Sequence, residues 1–339
     1  MKPLDGIRVL DFTWVLSGPF ATRLLADYGA EVIKIQSLVT SKTPKANNDP
    51  YTCTWNRNKR SITLDMSKPE ARELFLELVR ISDVVIDNFS PHVFDDWGID
   101  YGLLSETNTG IVQAQISAVG HNDEMRDISL FGPGVQAMAG FTALTSYGDG
   151  EPMGIGFAYA DHVMGLYASF EILKALYARR LTGKGAYIDI SGIGAAKSVL
   201  DTKAPGHAYT VKCEDGKWCA ISPAGERELA VAKCLEGDFD SKGLVHALQH
   251  EHIAASVVMD SRDLFASAQL RARNCFETIE HPVIGKMLFD RTPIRTVPDE
   301  PCEAFASPQL GEANEYVFKE LLHMDETTYK RCVEDGIIA

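Results

Sequence analysis

Ile7-Arg8-Val9-Leu10-Asp11-Phe12 reads as a short apolar strand, and Glu31-Val32-Ile33-Lys34-Ile35 reads as a second. Between them a loop, Thr13 to Gly18, leads to Pro19, a residue suited to the first turn of a helix. That helix, Phe20 to Tyr28, stops at Gly29. Strand, helix and strand form a βαβ unit, whose crossover is right-handed and whose strands are parallel by default.

The pattern continues outward. Ser67-Lys68-Pro69-Glu70 reads as a capping box with Ser67 as N-cap, and Leu74, Leu78 and Ile81 mark the apolar face of the helix behind it. Strands follow at Asp83-Val84-Val85-Ile86 and Ile111-Val112-Gln113-Ala114-Gln115-Ile116. A long helix over 161–180 leads to the strand Tyr187-Ile188-Asp189-Ile190. Strands alternating with helices predict a doubly wound parallel α/β sheet, Rossmann-like in a large domain, with ligands at the carboxyl ends of the strands. Phe12–Gly18, Asn88–Ser90 and Ile116–Gly120 then share one rim. After Ile190 the character changes: 192–205 reads as a linker, and 209–213 with 218–221 as a hairpin around an Asp-Gly turn. Helices are expected at 226–236, 242–249 and 262–271, and a mostly helical tail from Gly311.

The chain has 339 residues, 45% of them apolar, with a net charge of −14. That length supports two domains, and the negative charge disfavours nucleic acid or anionic lipid as the main partner. The N-terminus shows no signal-peptide core, and no apolar run approaches a membrane span. Seven scattered cysteines without a C-x-x-C pair suit a reduced cytoplasmic protein. No Cys/His cluster has metal-ligand spacing; His250-Glu251-His252 comes nearest. The first loop, Thr13-Trp14-Val15-Leu16-Ser17-Gly18-Pro19, lacks G-x-G-x-x-G, and neither a P-loop nor a G-x-S-x-G motif occurs.

Two features remain that carry chemistry. The basic run Asn56-Arg57-Asn58-Lys59-Arg60 reads either as a phosphate site or as a solvated turn. Asp161 reads as the N-cap of a helix with the apolar stripe Val163, Leu166, Phe170, Leu173 and Tyr177, or as a nucleophile kept ionised by the positive helix end. Asp11, Asp65, Asp87 and Asp189 read as mostly structural, and His121 as a solvated loop residue.

In order along nearly its whole length, the chain resembles the class III CoA-transferase family, the group of formyl-CoA and carnitine CoA-transferases. The matching blocks are Pro3 to Phe12, Gly18-Pro19, Gly29 to Ile35, Asn58 to Ile62, Asp83 to Phe89, Thr182-Gly183-Lys184-Gly185 and Pro308 to Glu312. The resemblance implies transfer of coenzyme A from an acyl-CoA to a carboxylic acid through aspartyl anhydride and aspartyl-CoA thioester intermediates. Acyl-CoA enters as substrate, with no tightly bound cofactor and no metal. Asp161 aligns with the catalytic aspartate. Coenzyme A contacts carry over to Val15, Leu16, Ser17, Leu64, Asp65, Met66, Ser67, Asn88, Phe89, Ser90 and Phe131, with the phosphates left to Arg57, Lys59 and Arg60. The family further implies an interlocked homodimer of chains built from a large domain (1–192), a shortened linker (193–207), a small α+β domain (208–292) and a return to the large domain (293–339).

The sequence departs from the family at Gln36-Ser37-Leu38 and Asp96-Trp97, where basic residues are usual, and at Gly311-Glu312-Ala313, where the last residue is usually histidine. The segment between Ile190 and Tyr209 is short and lacks a glycine-rich loop. An acyl-CoA racemase or epimerase on the same fold is an alternative, but Phe131 and Gly132 stand where such enzymes carry a Gly-His-Asp block. A non-catalytic CoA-binding protein is another.

Overall fold

The computed structural model describes residues 2–37, 47–121, 124–146, 150–200, 208–237, 239–294 and 304–339. Leu38, Cys302 and the linker positions 201–207 lie outside the described residues. The chain divides into two compact units, Met1–Leu200 with Glu277–Ala339, and Asp201–Phe276.

The first unit is built on a parallel sheet of β1 (Arg8–Asp11), β2 (Glu31–Gln36), β3 (Lys59–Thr63), β4 (Val84–Asp87), β5 (Val112–Ser117) and β6 (Ala186–Ser191). Their order is β3-β2-β1-β4-β5-β6, so the winding reverses between β1 and β4. Successive side chains of a strand face opposite sides, and both sides of this sheet are covered. Val9, Val32, Val84 and Val112 pack with the first helix (Ser17–Asp27) and the long helix (Tyr159–Thr182). Leu10, Ile33, Ile62 and Val85 pack with Phe75 and Leu78 of the helix Pro69–Arg80, and with Phe318 and Ile338 of the C-terminal segment. That segment also ties down β3: Thr63 Oγ1 donates to the Ala339 carbonyl (2.6 Å), and Asp65 N donates to the Ile337 carbonyl (3.0 Å).

The strands read at 7–12, 31–35, 83–86, 111–116 and 187–190 are present. β3 is an addition, hidden by the charged pair Lys59-Arg60 that opens it. The first helix begins at Ser17, three residues before the expected Phe20. Ser67 is not a cap: Lys68 holds the N-cap position, and the Ser67 hydroxyl donates to Asp65 (2.7 Å). The first part of the expected linker is a helix, Gly192–Lys197, capped by Ser191. The tail is less helical than expected, with a π-helical turn at Tyr316–Leu321 and an α-helix at Glu326–Glu334.

Of the apolar stripe expected on the long helix only Val163 is buried. Ala160, Met164, Ala168 and Ile172 are buried, whereas Leu166, Phe170, Leu173 and Tyr177 are exposed. The cause is the closeness of the first helix. A Cβ on Gly165 would lie 2.7 Å from the Ser17 carbonyl oxygen, and the Ser169 hydroxyl contacts the Ala21 carbonyl at 3.3 Å. Only small side chains fit where the two helices touch, and Leu166, Phe170, Leu173 and Tyr177 lie on the opposite, exposed face.

In the second unit, β7 (Tyr209–Lys212) and β8 (Trp218–Ser222) form the expected antiparallel hairpin, and β9 (Ala254–Val257) extends it. Cys219 and Ile221 pack on Ala232, Leu244 and Leu248 from the helices Glu226–Leu235 and Ser241–His250. The strands β10 (Phe276–His281) and β11 (Gly285–Asp290) pair with each other. The sequence places them in the small domain, but from Glu277 onward they cluster with the first unit, where Ile279 and Phe289 pack on Cys53.

Candidate active site

Asp11 ends β1 fully buried and organises the loop that follows. It accepts hydrogen bonds from Thr13 N (2.8 Å), Thr13 Oγ1 (2.5 Å), Thr22 Oγ1 (2.7 Å) and Lys59 Nζ (3.0 Å). Burial alone would raise its pKa, but Lys59, Lys34 and the two hydroxyls hold it at about 2. Lys34 Nζ donates to the Thr13 carbonyl (2.5 Å). One residue further on, the Asn88 side chain from the end of β4 clamps Trp14. Its Oδ1 accepts from Trp14 N and its Nδ2 donates to the Trp14 carbonyl, each at 2.9 Å. Val15, held beside this clamp, has φ +63°, a left-handed conformation that a β-branched residue adopts only under strain of about 1–3 kcal/mol.

These loops border a cavity of about 250 Å³ at the carboxyl ends of β1, β4 and β5, beside the point where the winding reverses. Asp161 is part of its lining. Asp161 is not the N-cap of its helix: Ala158 holds that position, and Asp161 lies in the first turn, third from the start. It is half-buried. Burial raises its pKa, and His162 opposes the shift. Gly132, in the first turn of the helix Gly132–Ala139, presses against the carboxylate, and a Cβ there would lie 2.1 Å from Asp161 Oδ2. The positive ends of two helices therefore meet at one carboxylate.

Aromatic rings gather around the next residue, His162, outside the cavity lining. Phe157 stacks on His162 with ring centroids 4.7 Å apart at 21°, and His162 lies 5.0 Å from Phe20 and 5.4 Å from Trp55. Tyr51 meets Trp55 at 6.0 Å. His162 Nδ1 is bonded to the Ala158 carbonyl (2.7 Å), which fixes the ring.

Of the residues singled out in the sequence, Val15, Ser17, Asn88, Phe89, Ser90 and Phe131 line the cavity with Asp161. Leu16 is buried at the start of the first helix, outside that lining. Leu64 and Met66 are in the core, and Asp65 and Ser67 bond each other. Two cations of the basic run, Arg57 and Lys59, are buried in ion pairs, and Arg60 stays exposed. Arg57 is buried against Asp27 (2.7 Å) and the Asp290 carbonyl. Lys59 donates to Asp11, to the Pro19 carbonyl (3.1 Å) and to Asn56 Oδ1 (2.9 Å). Arg60 pairs with Glu31 (3.2 Å) and lies over the Tyr316 ring. His121 is not solvated; it is buried, with Nδ1 3.1 Å from Asp189.

The contact of Gly132 with Asp161 escaped the sequence reading. The signal for Gly132 was local, a Gly-Pro at a helix start, but its contact with Asp161 spans 29 positions of chain. Among the described residues no group of three or more His, Cys, Asp or Glu side chains is placed to hold a metal ion.

Comparison with known proteins matches residues 4–238 to the family model described as CoA-transferase family III. Over 95% of both chains, the sequence is 29% identical to the succinyl-CoA–L-malate CoA-transferase beta subunit of Chloroflexus aurantiacus. It is 26% identical to the succinyl-CoA:glutarate CoA-transferase of Mus musculus, covering all of this chain and 91% of that one. The crystal structure of a CAIB/BAIF family protein from Brucella suis superposes with a TM-score of 0.80 at 28% identity, covering 94% of this chain and 99% of that one. A parallel sheet with a cavity at its switch point, matched along the chain by enzymes of one reaction class, settles the family: this chain belongs to CoA-transferase family III, and its activity is the transfer of coenzyme A.

Proposed function

We propose that Asp161 is the nucleophile of this transfer. Its carboxylate oxygen attacks the thioester carbonyl of an acyl-CoA, the C–S bond breaks, and coenzyme A leaves as thiolate from a mixed anhydride. The thiolate then attacks the aspartyl carbonyl, releasing the first acid and leaving an aspartyl-CoA thioester. The acceptor carboxylate attacks that thioester and regenerates an anhydride and thiolate. Attack of the thiolate on the new acyl carbonyl yields the second acyl-CoA and returns Asp161 to its carboxylate. No proton is gained or lost over the cycle.

The observation that carries this reading is the placement of the Asp161 carboxylate in the cavity wall against Gly132, where two helix N-termini converge. Partial burial makes the carboxylate more basic and hence more nucleophilic, while the helix ends keep it ionised and favour the negative charge of each tetrahedral intermediate. In this reading the cavity, between Val15, Asn88 and Phe131, takes the thioester arm of coenzyme A. A homodimer belongs to the same reading. Phe170 and Tyr177 on the long helix are 62% and 66% exposed, an apolar face suited to a second copy. No helix among the described residues is long and apolar enough to cross a membrane, and we place the reaction in the cytoplasm.

Mass spectrometry of the protein after incubation with a CoA thioester tests the mechanism. An acyl or CoA adduct is expected on the peptide containing Asp161. Asp161→Ala should lose the adduct and lower transfer by roughly 10⁴-fold, with stability reduced by no more than about 1 kcal/mol for the lost helix-end charge. Unimpaired turnover in that variant overturns the assignment.

A further inference from the structure

The turn after β5 presents the cavity with a hydroxyl whose oxygen is held from behind. We propose that Ser117 binds coenzyme A by donating its hydroxyl hydrogen to an amide carbonyl of the coenzyme's arm, and that His121 is a positioning residue acting through it. This rests on the reading that the cavity takes the thioester arm, and adds the group that holds it.

β5 ends at Ser117, and Ser117 and Ala118 line the cavity with Asp161. Ser117 Oγ accepts a hydrogen bond from Gly120 N (2.8 Å). A hydroxyl also has one hydrogen to give, and among the described residues no acceptor takes it. Accepting from Gly120 therefore fixes the oxygen and leaves the hydrogen for a ligand. Asn88, in the same lining, has no such capacity. Its Oδ1 accepts from Trp14 N, and its Nδ2 donates to the Trp14 carbonyl and to Ser17 Oγ (3.4 Å). An amide carbonyl drawn out of water into the cavity needs a donor, and Ser117 supplies one already in place.

The peptide that donates to Ser117 is itself clamped. Gly120 turns in the left-handed region, at φ +108°. The next residue, His121, closes on Asp189 of β6. Its N donates to both carboxylate oxygens (3.0 Å each), and its Nδ1 lies 3.1 Å from Oδ1. Asp189 stands opposite Gln115 in the β5–β6 register, so the clamp is anchored on the sheet. Ile193 N donates to the Ala118 carbonyl (2.9 Å), which fixes the middle of the turn. His121 is only 6% exposed and lies outside the cavity lining. Its influence on the site therefore passes through the turn to Ser117, and not through contact with substrate.

Calorimetric titration of the full chain with coenzyme A tests both roles, with urea unfolding of each variant alongside. Ser117→Ala should weaken coenzyme A about fivefold, the loss of one hydrogen bond. His121→Leu should weaken it by a similar factor. His121→Asn keeps a side-chain donor for Asp189 and should stay within about twofold of the parent. In the double variant, Ser117→Ala with His121→Leu, the loss should stay near that of Ser117→Ala alone, because both act on one bond. Should His121→Leu fail to fold, Asp189→Asn, which weakens the clamp from its other side, takes its place in the same cycle. An unchanged affinity in Ser117→Ala overturns the binding role. Losses that multiply to about 25-fold in the double variant overturn the positioning role, because His121 then acts independently of Ser117. A His121→Asn variant as weak as His121→Leu overturns it too. A parent chain that does not bind coenzyme A removes the reading of the cavity, and this proposal with it.

Discussion

Asp11 and Asp87 end neighbouring parallel strands, both fully buried beside the same cavity, and burial has opposite outcomes for them. Asp11 faces two lysines and two hydroxyls and stays ionised, its pKa near 2. Asp87 has no cation among its determinants. Burial raises its pKa to about 7, against a hydrogen bond from Gln115 Nε2 (2.9 Å) and one from Phe89 N (3.1 Å). The first wall of the cavity, the Thr13–Ser17 loop, is thus anchored on a paired charge. The second, at Asn88–Ser90, is anchored on a carboxyl that is readily neutral. A buried carboxylate keeps its charge only where a partner cancels the desolvation, and here that partner is the difference between adjacent strands.

Breaking the Asp11 cluster should have the largest effect. Lys59 donates to three oxygens, which matches the three hydrogens of an ammonium and supports an ionised pair, although burial pushes Lys59 down to about 7. Lys59→Met leaves Asp11 buried with Lys34 as its remaining cation and should cost about 3–5 kcal/mol in urea unfolding at pH 7. Because the folded pKa of Asp11 lies below its unfolded value, its contribution is present above about pH 4 and lost as pH falls toward 2. In the variant the folded pKa of Asp11 rises toward its unfolded value, so this acid loss should shrink. A loss below about 1 kcal/mol would mean that the pair does not hold the loop.

Asp87 should show the reverse slope. Its folded pKa lies above its unfolded value, so the native state holds the proton between about pH 4 and pH 7. The stabilisation is complete below that window and disappears as pH rises through it. Asp87→Asn, which mimics the neutral acid, should be level with the parent at pH 4 and more stable at pH 8 by on the order of 3 kcal/mol. Parallel stability curves for the two proteins would show that Asp87 is ionised throughout and would remove the contrast with Asp11.

Much of this frame was legible because it is local. Val9, Val32, Val84 and Val112 belong to short β-branched runs, and the strand ends that follow place Val15, Ser17 and Asn88 on the cavity without any tertiary knowledge, whereas Phe131 was reached only through the family resemblance. What escaped depends on partners distant in sequence. Lys59 looks like a surface residue until it meets Asp11, 48 positions away. The stripe Leu166, Phe170 and Tyr177 looks like a core face until the close approach of the first helix at Gly165 gives that role to small residues. Asp11 and Asp87 look alike at the ends of apolar runs, and only the lysine brought to one of them separates their chemistry.

The smallest expected effect sharpens the Asp87 side. Tyr187 donates its hydroxyl to Gln115 Oε1 (2.9 Å), which directs the amide nitrogen of Gln115 to Asp87. That arrangement suits an ionised Asp87, because a carboxylate can only accept. A protonated Asp87 would be served equally by a flipped amide, with the Gln115 oxygen accepting from the acid. Tyr187→Phe removes the hydroxyl that selects between the two. At pH 8 the orphaned Gln115 oxygen should cost about 1 kcal/mol. At pH 5 the amide is free to turn toward the protonated acid, and the cost should shrink. Equal losses at the two pH values, measured by denaturant unfolding, would mean that Gln115 keeps its nitrogen on Asp87 in both charge states, and that the second wall, like the first, rests on a fixed hydrogen-bond pattern.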